Sequence, residues 1–302
     1  MMDHMNEKEK NSIAILGLGK VGTAIGYLLR KAGYPIIAVA GRTECSLNRG
    51  LSFTGGEAFT SFSDAASRAE CIIITTPDDA IRSTCKKISQ NSGVVQGKKV
   101  IHMSGAGSLK LLEAARDAGA YVACIHPLQS FSDVENAIIN IPGSTFGITS
   151  QDEIREWCVQ IVEDIGGSPF FIADADKALY HAAACIASNY LTTLIHTVEE
   201  IYISLGLTRE TARRAFWPLI KGTLSNIEQN GSITALTGPV VRGDMGTIRQ
   251  HLLALDDTFH TYLQAYCSMG ILAADMGLAK KTLSEEEAET IKKLFKKELK
   301  NE

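Results

Sequence analysis

Short apolar runs alternate with longer amphipathic stretches over the first half of the chain. The runs fall at residues 13–16, 36–40, 71–75, 99–103 and 121–125. Each is apolar on consecutive positions and rich in β-branched residues, as a strand covered on both faces must be. Between them, residues 20–32, 79–90 and 108–118 carry helical periodicity. Strand and helix in repetition predict a parallel, doubly wound sheet. A further strand is expected near residues 145–148. A helix should follow to about residue 164, opened by a capping box of Ser150 and Glu153.

Beyond Pro169 the pattern changes. From residue 174 onward strand signals almost vanish. Helices are expected over 174–205, 208–229, 245–255, 258–276 and 285–299, the last opened by Ser284 with Glu287. The breakers Gly166-Gly167-Ser168-Pro169 mark the change. The sequence thus predicts an α/β domain over residues 1–168 and an all-helical domain over 169–302.

The first strand–helix junction reads Gly17-Leu18-Gly19-Lys20-Val21-Gly22. Glycines at this spacing, after a strand and opening a helix, are a dinucleotide fingerprint. Gly17 permits the tight turn, Gly19 lets backbone approach a pyrophosphate, and Gly22 lets helix and strand pack closely. The helix N-terminus presents unpaired N–H groups to the phosphates. An acid is expected about 20 residues further on, where it binds the ribose hydroxyls. Here that position is Arg42, followed by Thr43. A guanidinium beside a hydroxyl suits a 2′-phosphate, so the expected cofactor is NADP(H). Thr75-Thr76-Pro77 and Ser104-Gly105 end two later strands. In an open parallel sheet they should flank the nicotinamide and its ribose. Asp78 is expected to cap the next helix.

Composition narrows the class. At 302 residues the chain suits two domains. With 45% hydrophobic and 21% charged residues it reads as an ordinary globular protein. A net charge of -4 argues against nucleic acid or an anionic membrane as partner. No apolar run is long enough to span a bilayer. The leader MMDHMNEKEKN is polar, unlike a signal or transit peptide. The seven cysteines are scattered without a C-x-x-C pair, which indicates neither a disulfide framework nor a metal site. A cytoplasmic protein acting on a small molecule is the expectation.

Three segments carry candidate chemistry. His126 and Gln129 lie in "HPLQSF", just after a strand; the histidine is either a site residue or plain surface. In "DKALYHAAACIASNYLTTLI", Lys177 and His181 share one helical face, and Ser188 and Thr192 extend the polar line. That line is either a substrate-facing wall or a set of satisfied core groups. In "GPVVRGD", Arg242 sits on an irregular loop beside Asp244, either to clamp a carboxylate or to shape the loop. Reducing a carbonyl needs a proton on oxygen as well as hydride on carbon. Lys177 is the first choice of donor and His181 the second.

"HPLQSF", "DKALYHAAACIASNYL" and "GPVVRGD" resemble recurring segments of a bacterial family of oxidoreductases. That family joins a Rossmann-like domain to a helical C-terminal domain of unknown function. The wider group it resembles includes pyrroline-5-carboxylate reductase, ketopantoate reductase and the β-hydroxyacid dehydrogenases. The resemblance implies NADP(H) binding, a helical domain that forms a homodimer, and reduction of a small 2-oxo acid, with 2-dehydropantoate the leading substrate. It also implies catalysis by Lys177, His181 and His126, with Gln129, Ser188, Asn189, Arg242 and Asp244 at the substrate. In the related dehydrogenases an asparagine follows the helix lysine by four residues. Here position 181 is histidine and Asn189 lies farther along. Two other readings stand beside this one: an NADP(H) sensor without turnover, and an imine reductase resembling pyrroline-5-carboxylate reductase.

Overall fold

The computed structural model describes residues 10–300. Residues 1–9 of the polar leader lie outside the described residues. The chain divides into two compact units, Met1–Leu191 and Thr192–Glu302.

The first unit runs β1 (Ile13–Leu16), α1 (Lys20–Lys31), β2 (Ile36–Ala40), α2 (Glu44–Thr54), β3 (Glu57–Phe59), α3 (Phe62–Arg68), β4 (Cys71–Ile74) and α4 (Asp78–Ser89). It continues through β5 (Lys99–His102), α5 (Glu113–Asp117), β6 (Tyr121–Pro127), α6 (Val134–Asn140), β7 (Thr145–Ser150), α7 (Arg155–Asp164), β8 (Ser168–Phe171) and α8 (Lys177–Cys185). A π-helical turn, Ile186–Tyr190, follows α8. The strands make one sheet in the order β3-β2-β1-β4-β5-β6-β7-β8. The order reverses between β1 and β4, which opens a crevice beyond their carboxyl ends.

Alternation along each strand fills both faces of the sheet. Ile13 and Ile15 of β1 pack on one side with Ile25 and Leu29 of α1. Ala14 and Leu16 pack on the other with Ile81 and Cys85 of α4. Burial on both faces is why these strands read as continuous apolar runs.

Two details of the sheet differ from the sequence expectation. β7 runs antiparallel to β6, with His126 opposite Gly147. Ser150 opens no helix, because it is the last residue of β7 and pairs with Ala123. A short 3-10 turn, Asp152–Ile154, intervenes before α7. The first unit also extends past residue 168. β8 pairs with β7, and as an edge strand it accommodates Pro169. The stretch expected as one helix over 174–205 is helical from Lys177 to Ser204, though not uniformly α. A 3-10 turn at Asp174–Asp176 precedes α8, and the π turn follows it.

The second unit is helical: α9 (Leu191–Ser204), α10 (Arg209–Asn230), α11 (Ser232–Ala235), α12 (Met245–Thr258), α13 (His260–Ala279) and α14 (Glu285–Glu298). Its own core joins Ile248 and Leu252 of α12 to Leu263 and Cys267 of α13 and to Ile291 and Phe295 of α14. The capping box of Ser284 and Glu287 forms as expected. Glu199 accepts from Arg209 at 2.7 Å and also from Arg213, tying α9 to α10. Among the described residues no helix is long and apolar enough to cross a membrane.

Candidate functional site

The glycine turn has the shape a bound pyrophosphate needs. Gly17 adopts φ +115, and a Cβ there would lie 2.7 Å from the Thr75 carbonyl carbon. The Thr75 hydroxyl donates to the Gly17 carbonyl at 2.6 Å, which pins the turn to the end of β4. A Cβ on Gly22 would overlap that same carbonyl oxygen and the Thr75 hydroxyl. Only glycine lets α1 start this close to the sheet. Gly19, by contrast, has nothing within 4 Å of where its Cβ would be. It is the N-cap of α1, with no side-chain cap and no acid in the first turn. The space beside the α1 N-terminus is therefore open at Gly19, where the first-turn N–H groups lack intrahelical partners. Leu18 is buried against Gly50 and anchors the loop.

At the end of β2, Arg42 is exposed and has no ion pair among the described residues. Thr43 caps α2, accepting from the Ser46 N–H at 3.3 Å. An exposed guanidinium beside a helix N-terminus suits a phosphate. At the end of β4, the buried Thr76 hydroxyl has no hydrogen-bond partner among the described residues. An orphaned polar atom in this crevice marks a place where a ligand group fits. Pro77 is the N-cap of α4. These features fit a bound dinucleotide.

A second constellation gathers beyond the ends of β5 and β6, in the same unit. Lys177, the first residue of α8, is 1% exposed. Its amine donates to the Cys124 sulfur at 3.0 Å. The Cys124 thiol donates in turn to the Ser104 carbonyl at 3.1 Å. The Ser104 hydroxyl donates to Asp78 at 2.6 Å and accepts from the Gly107 N–H. Asp78 therefore does not cap α4, because its carboxylate is taken by Ser104.

His126 Nδ1 lies 2.8 Å from the Tyr180 hydroxyl. His181 meets the His126 ring edge to face, with centroids 5.8 Å apart. Its Nε2 lies 3.6 Å from the Cys185 sulfur, while its buried Nδ1 has no partner among the described residues. Gly105 fits between the two rings. A Cβ there would overlap His181 Nδ1 and come within 2.8 Å of His126 Nε2. Gly147, opposite His126, makes room for the phenol, since a Cβ there would lie 2.8 Å from the Tyr180 oxygen.

The electrostatics favour neutral imidazoles. His102 is fully buried and accepts from the Ser104 N–H at 3.2 Å. Burial, with the Lys177 charge adding, pushes it down to about 3. His126 is pushed down to about 4, by burial first, then by the charges of Lys177 and His181. Burial pushes Cys124 up to about 11 even though Lys177 opposes the rise. Burial also pushes Tyr180 up to about 12.

Five residues expected from the sequence meet in this constellation: His126, Lys177, His181, Ser104 and Gly105. Others do not. The Gln129 amide donates to Ser144 at 3.1 Å and to the Asn140 carbonyl at 3.4 Å, within the β6–β7 connection. Ser188 and Asn189 lie exposed on the π turn. In the second unit Arg242 is exposed. Asp244 there caps α12, accepting from the Thr247 N–H at 3.1 Å and its hydroxyl at 2.7 Å. Its carboxyl is held below the usual range by those Thr247 bonds. Sequence reasoning missed Tyr180, Cys124, His102 and the Asp78–Ser104 bond. Some signal existed. Cys124 and His126 alternate onto one face of β6, and Tyr180 follows Lys177 by three helical positions. Among the described residues no group of three or more His, Cys, Asp or Glu side chains could hold a metal ion.

Comparison with known proteins identifies both parts of the chain. Residues 3–127 match a Rossmann-like domain, and residues 144–272 match a domain of unknown function (DUF2520). No curated protein matches the chain. Among solved structures, an NADP oxidoreductase candidate from Bacteroides fragilis is 20% identical, with a TM-score of 0.69 over 90% of this chain and 98% of that one. A protein from Thermotoga maritima is 24% identical, with a TM-score of 0.68 over 89% and 99%. A pyrroline carboxylate reductase from Plasmodium falciparum, with NADP bound, is 16% identical, with a TM-score of 0.57 over 95% and 99%. The chain shares their fold.

Proposed function

We propose that this chain, a Rossmann-like domain joined to a DUF2520 domain, is an NADPH-dependent reductase of a small 2-oxo acid, with 2-dehydropantoate the leading substrate. One observation carries the reading. A buried lysine and two facing histidines gather at the same mostly parallel sheet that carries the open glycine turn. Nucleotide cradle and proton-handling groups thus belong to one compact unit.

When bound, NADPH supplies the hydride. The α1 N-terminus at Gly19 would hold the pyrophosphate, Arg42 and Thr43 would hold the 2′-phosphate, and Thr76 would offer its hydroxyl, which has no partner among the described residues. The NADP-linked neighbours support this choice of cofactor. His126 and His181 would serve the proton to the substrate oxygen. Lys177 is buried on Cys124, so its part is electrostatic: its charge offsets the developing alkoxide. We also read the chain as a homodimer. Trp217, Leu224 and Ile227 are exposed along one face of α10, a face that pairing would cover.

An NADP(H) sensor without turnover would need the cradle and no such constellation. An imine reductase has support from the Plasmodium neighbour, whose substrate class differs from a 2-oxo acid. The deciding experiment follows NADPH absorbance on purified protein with 2-dehydropantoate, other 2-oxo acids and pyrroline-5-carboxylate, with NADH in parallel. Fast NADPH loss with 2-dehydropantoate alone supports the reading in full. Oxidation with another 2-oxo acid keeps the class and changes the substrate. Turnover of pyrroline-5-carboxylate alone, or tight NADPH binding without any turnover, overturns it.

A further inference from the structure

The reductase reading leaves open how a histidine that stays neutral at pH 7 can serve the substrate oxygen. Tyr180 supplies an answer, and it is absent from the residues the sequence singled out. Its ring stands edge-on to Phe170, centroids 5.8 Å apart, and its hydroxyl fills the space left by Gly147. That hydroxyl sits 2.8 Å from His126 Nδ1. No other hydrogen-bond partner for the phenol is found among the described residues. A half-buried phenol needs an acceptor, and the imidazole nitrogen is the more basic of the two groups. The bond therefore runs from the phenol O–H to Nδ1. The ring proton is left on Nε2, the nitrogen that faces Gly105.

We infer that Tyr180 is a positioning residue: it locks His126 as the Nε2–H tautomer, so that a neutral N–H is presented beside Gly105 to the oxygen of a carbonyl substrate. The inference rests on the reductase reading and names its substrate class. A neutral imidazole N–H is a weak acid, suited to stabilising an alkoxide as it forms and unable to supply an iminium. The groups facing His126 agree. Lys177, Tyr180 and His181 face it from α8, Cys124 from β6 and His102 from β5, while β7 contributes only Gly147. Of these Lys177 and His181 both act on His126 as positive charges. No carboxylate is bonded to His126 or His181 among the described residues; Asp78 and Asp174, whose charges reach Cys124, are held by the Ser104 hydroxyl and the Leu109 N–H. Such surroundings favour a carbonyl that becomes anionic and disfavour a cationic imine. In the carbonyl reaction, hydride goes to carbon while His126 Nε2–H hydrogen-bonds the oxygen. The alkoxide then takes one proton, by way of Nε2, and solvent replaces it.

The test reads the tautomer without turnover. Long-range proton–nitrogen spectra of 15N-labelled, cofactor-free protein identify His126 by the signals lost in His126→Asn. A single Nε2–H species, unprotonated down to about pH 5, is expected. Tyr180→Phe should give mixed tautomers, and Gly147→Ala should do the same by pushing the phenol off Nδ1, with the fold checked by thermal melting. With a carbonyl substrate, Tyr180→Phe should lower kcat by about tenfold or more and leave KM within about twofold. His126→Asn, which keeps a neutral N–H donor, should retain more activity than His126→Ala. An Nδ1–H species in the parent protein, or spectra and kcat unchanged in Tyr180→Phe, overturns the positioning role. Turnover of imines alone overturns the substrate class. An Nε2–H species without turnover on any carbonyl leaves the positioning role standing and counts against the reductase reading.

Discussion

Replacing Lys177 with methionine should make the protein more stable and the enzyme slower. Lys177 is 1% exposed, and its amine has the neutral Cys124 thiol as its partner, at 3.0 Å. It is also the first residue of α8, at the positive end of the helix dipole, where a cation is disfavoured. Removing an ammonium from water costs several kcal/mol, and a bond to sulfur returns only part of that. Methionine keeps the length and apolar stem without the charge. Replacing buried charges with well-packed apolar groups of similar volume stabilises by about 1–4 kcal/mol. In a unit of this size each kcal/mol raises Tm by about 2–4 °C. A rise of about 2–16 °C is therefore expected in thermal denaturation followed by circular dichroism at neutral pH. The same change withdraws the charge that helps keep His126 neutral and would offset an alkoxide. Turnover should fall by about 10–100-fold, with NADPH affinity within about threefold of the parent. Gain in stability with loss of activity is the signature of a residue kept for function. A Lys177→Met protein less stable than the parent by more than about 1 kcal/mol would refute the electrostatic argument. Unchanged kcat would remove Lys177 from the mechanism.

Three further outcomes follow from the same geometry. Gly22→Ala would drive a methyl into the Gly17 carbonyl and the Thr75 hydroxyl. It should cost about 1–3 kcal/mol in urea unfolding and weaken NADPH binding at least about tenfold by calorimetry. Arg42→Ala should weaken NADPH by about 10–100-fold and leave NADH unchanged; retained NADPH affinity would remove Arg42 from the cofactor site. Finally, His102 is neutral in the folded protein down to about 3 but charges near its ordinary value once unfolded. The unfolded chain thus binds the extra proton as pH falls below about 6.5. His102 alone should lower stability by about 2 kcal/mol between about pH 8 and pH 5, and His126, neutral down to about 4, adds a comparable loss. His102→Gln should flatten that slope.

The strands that frame the site were readable because each buries both faces. β1, β2, β4, β5 and β6 appear in the sequence as unbroken apolar runs. β3 and β8 sit at the two edges of the sheet, short and partly exposed, and carry no such run. Ser150 shows a different limit. Its spacing to Glu153 satisfies a capping box, yet Ser150 is held in β7 by pairing with Ala123, and tertiary pairing outranks the local signal. The site divides in the same way. The glycine turn and the His126, Lys177 and His181 positions follow from strand ends and helix spacing. Tyr180 could not be placed that way. Its role depends on Gly147 lying opposite His126, which requires the antiparallel β6–β7 pair, and a tyrosine in an apolar helix otherwise reads as packing. Lys177 reverses the usual expectation for a lysine, because α8 begins where its side chain can only run inward to Cys124.

The buried lysine and the neutral histidines are one device. Burial, with the positive charge of Lys177 adding to it, makes protonation of His126 and His102 costly, so both remain neutral where an isolated histidine would titrate. The charge that adds to that cost also attracts the negative charge that hydride transfer creates on oxygen. A protonated histidine could give up its proton too early, and the ring would then return to neutrality with its alignment changed. A neutral N–H held by Tyr180 stays aligned before and after the transfer. Three variants separate these contributions. Lys177→Met removes the charge, Tyr180→Phe frees the tautomer and His126→Ala removes the donor. If the three act as one unit, each pairwise double variant should lose less than the sum of its singles, because the second change finds the device already broken.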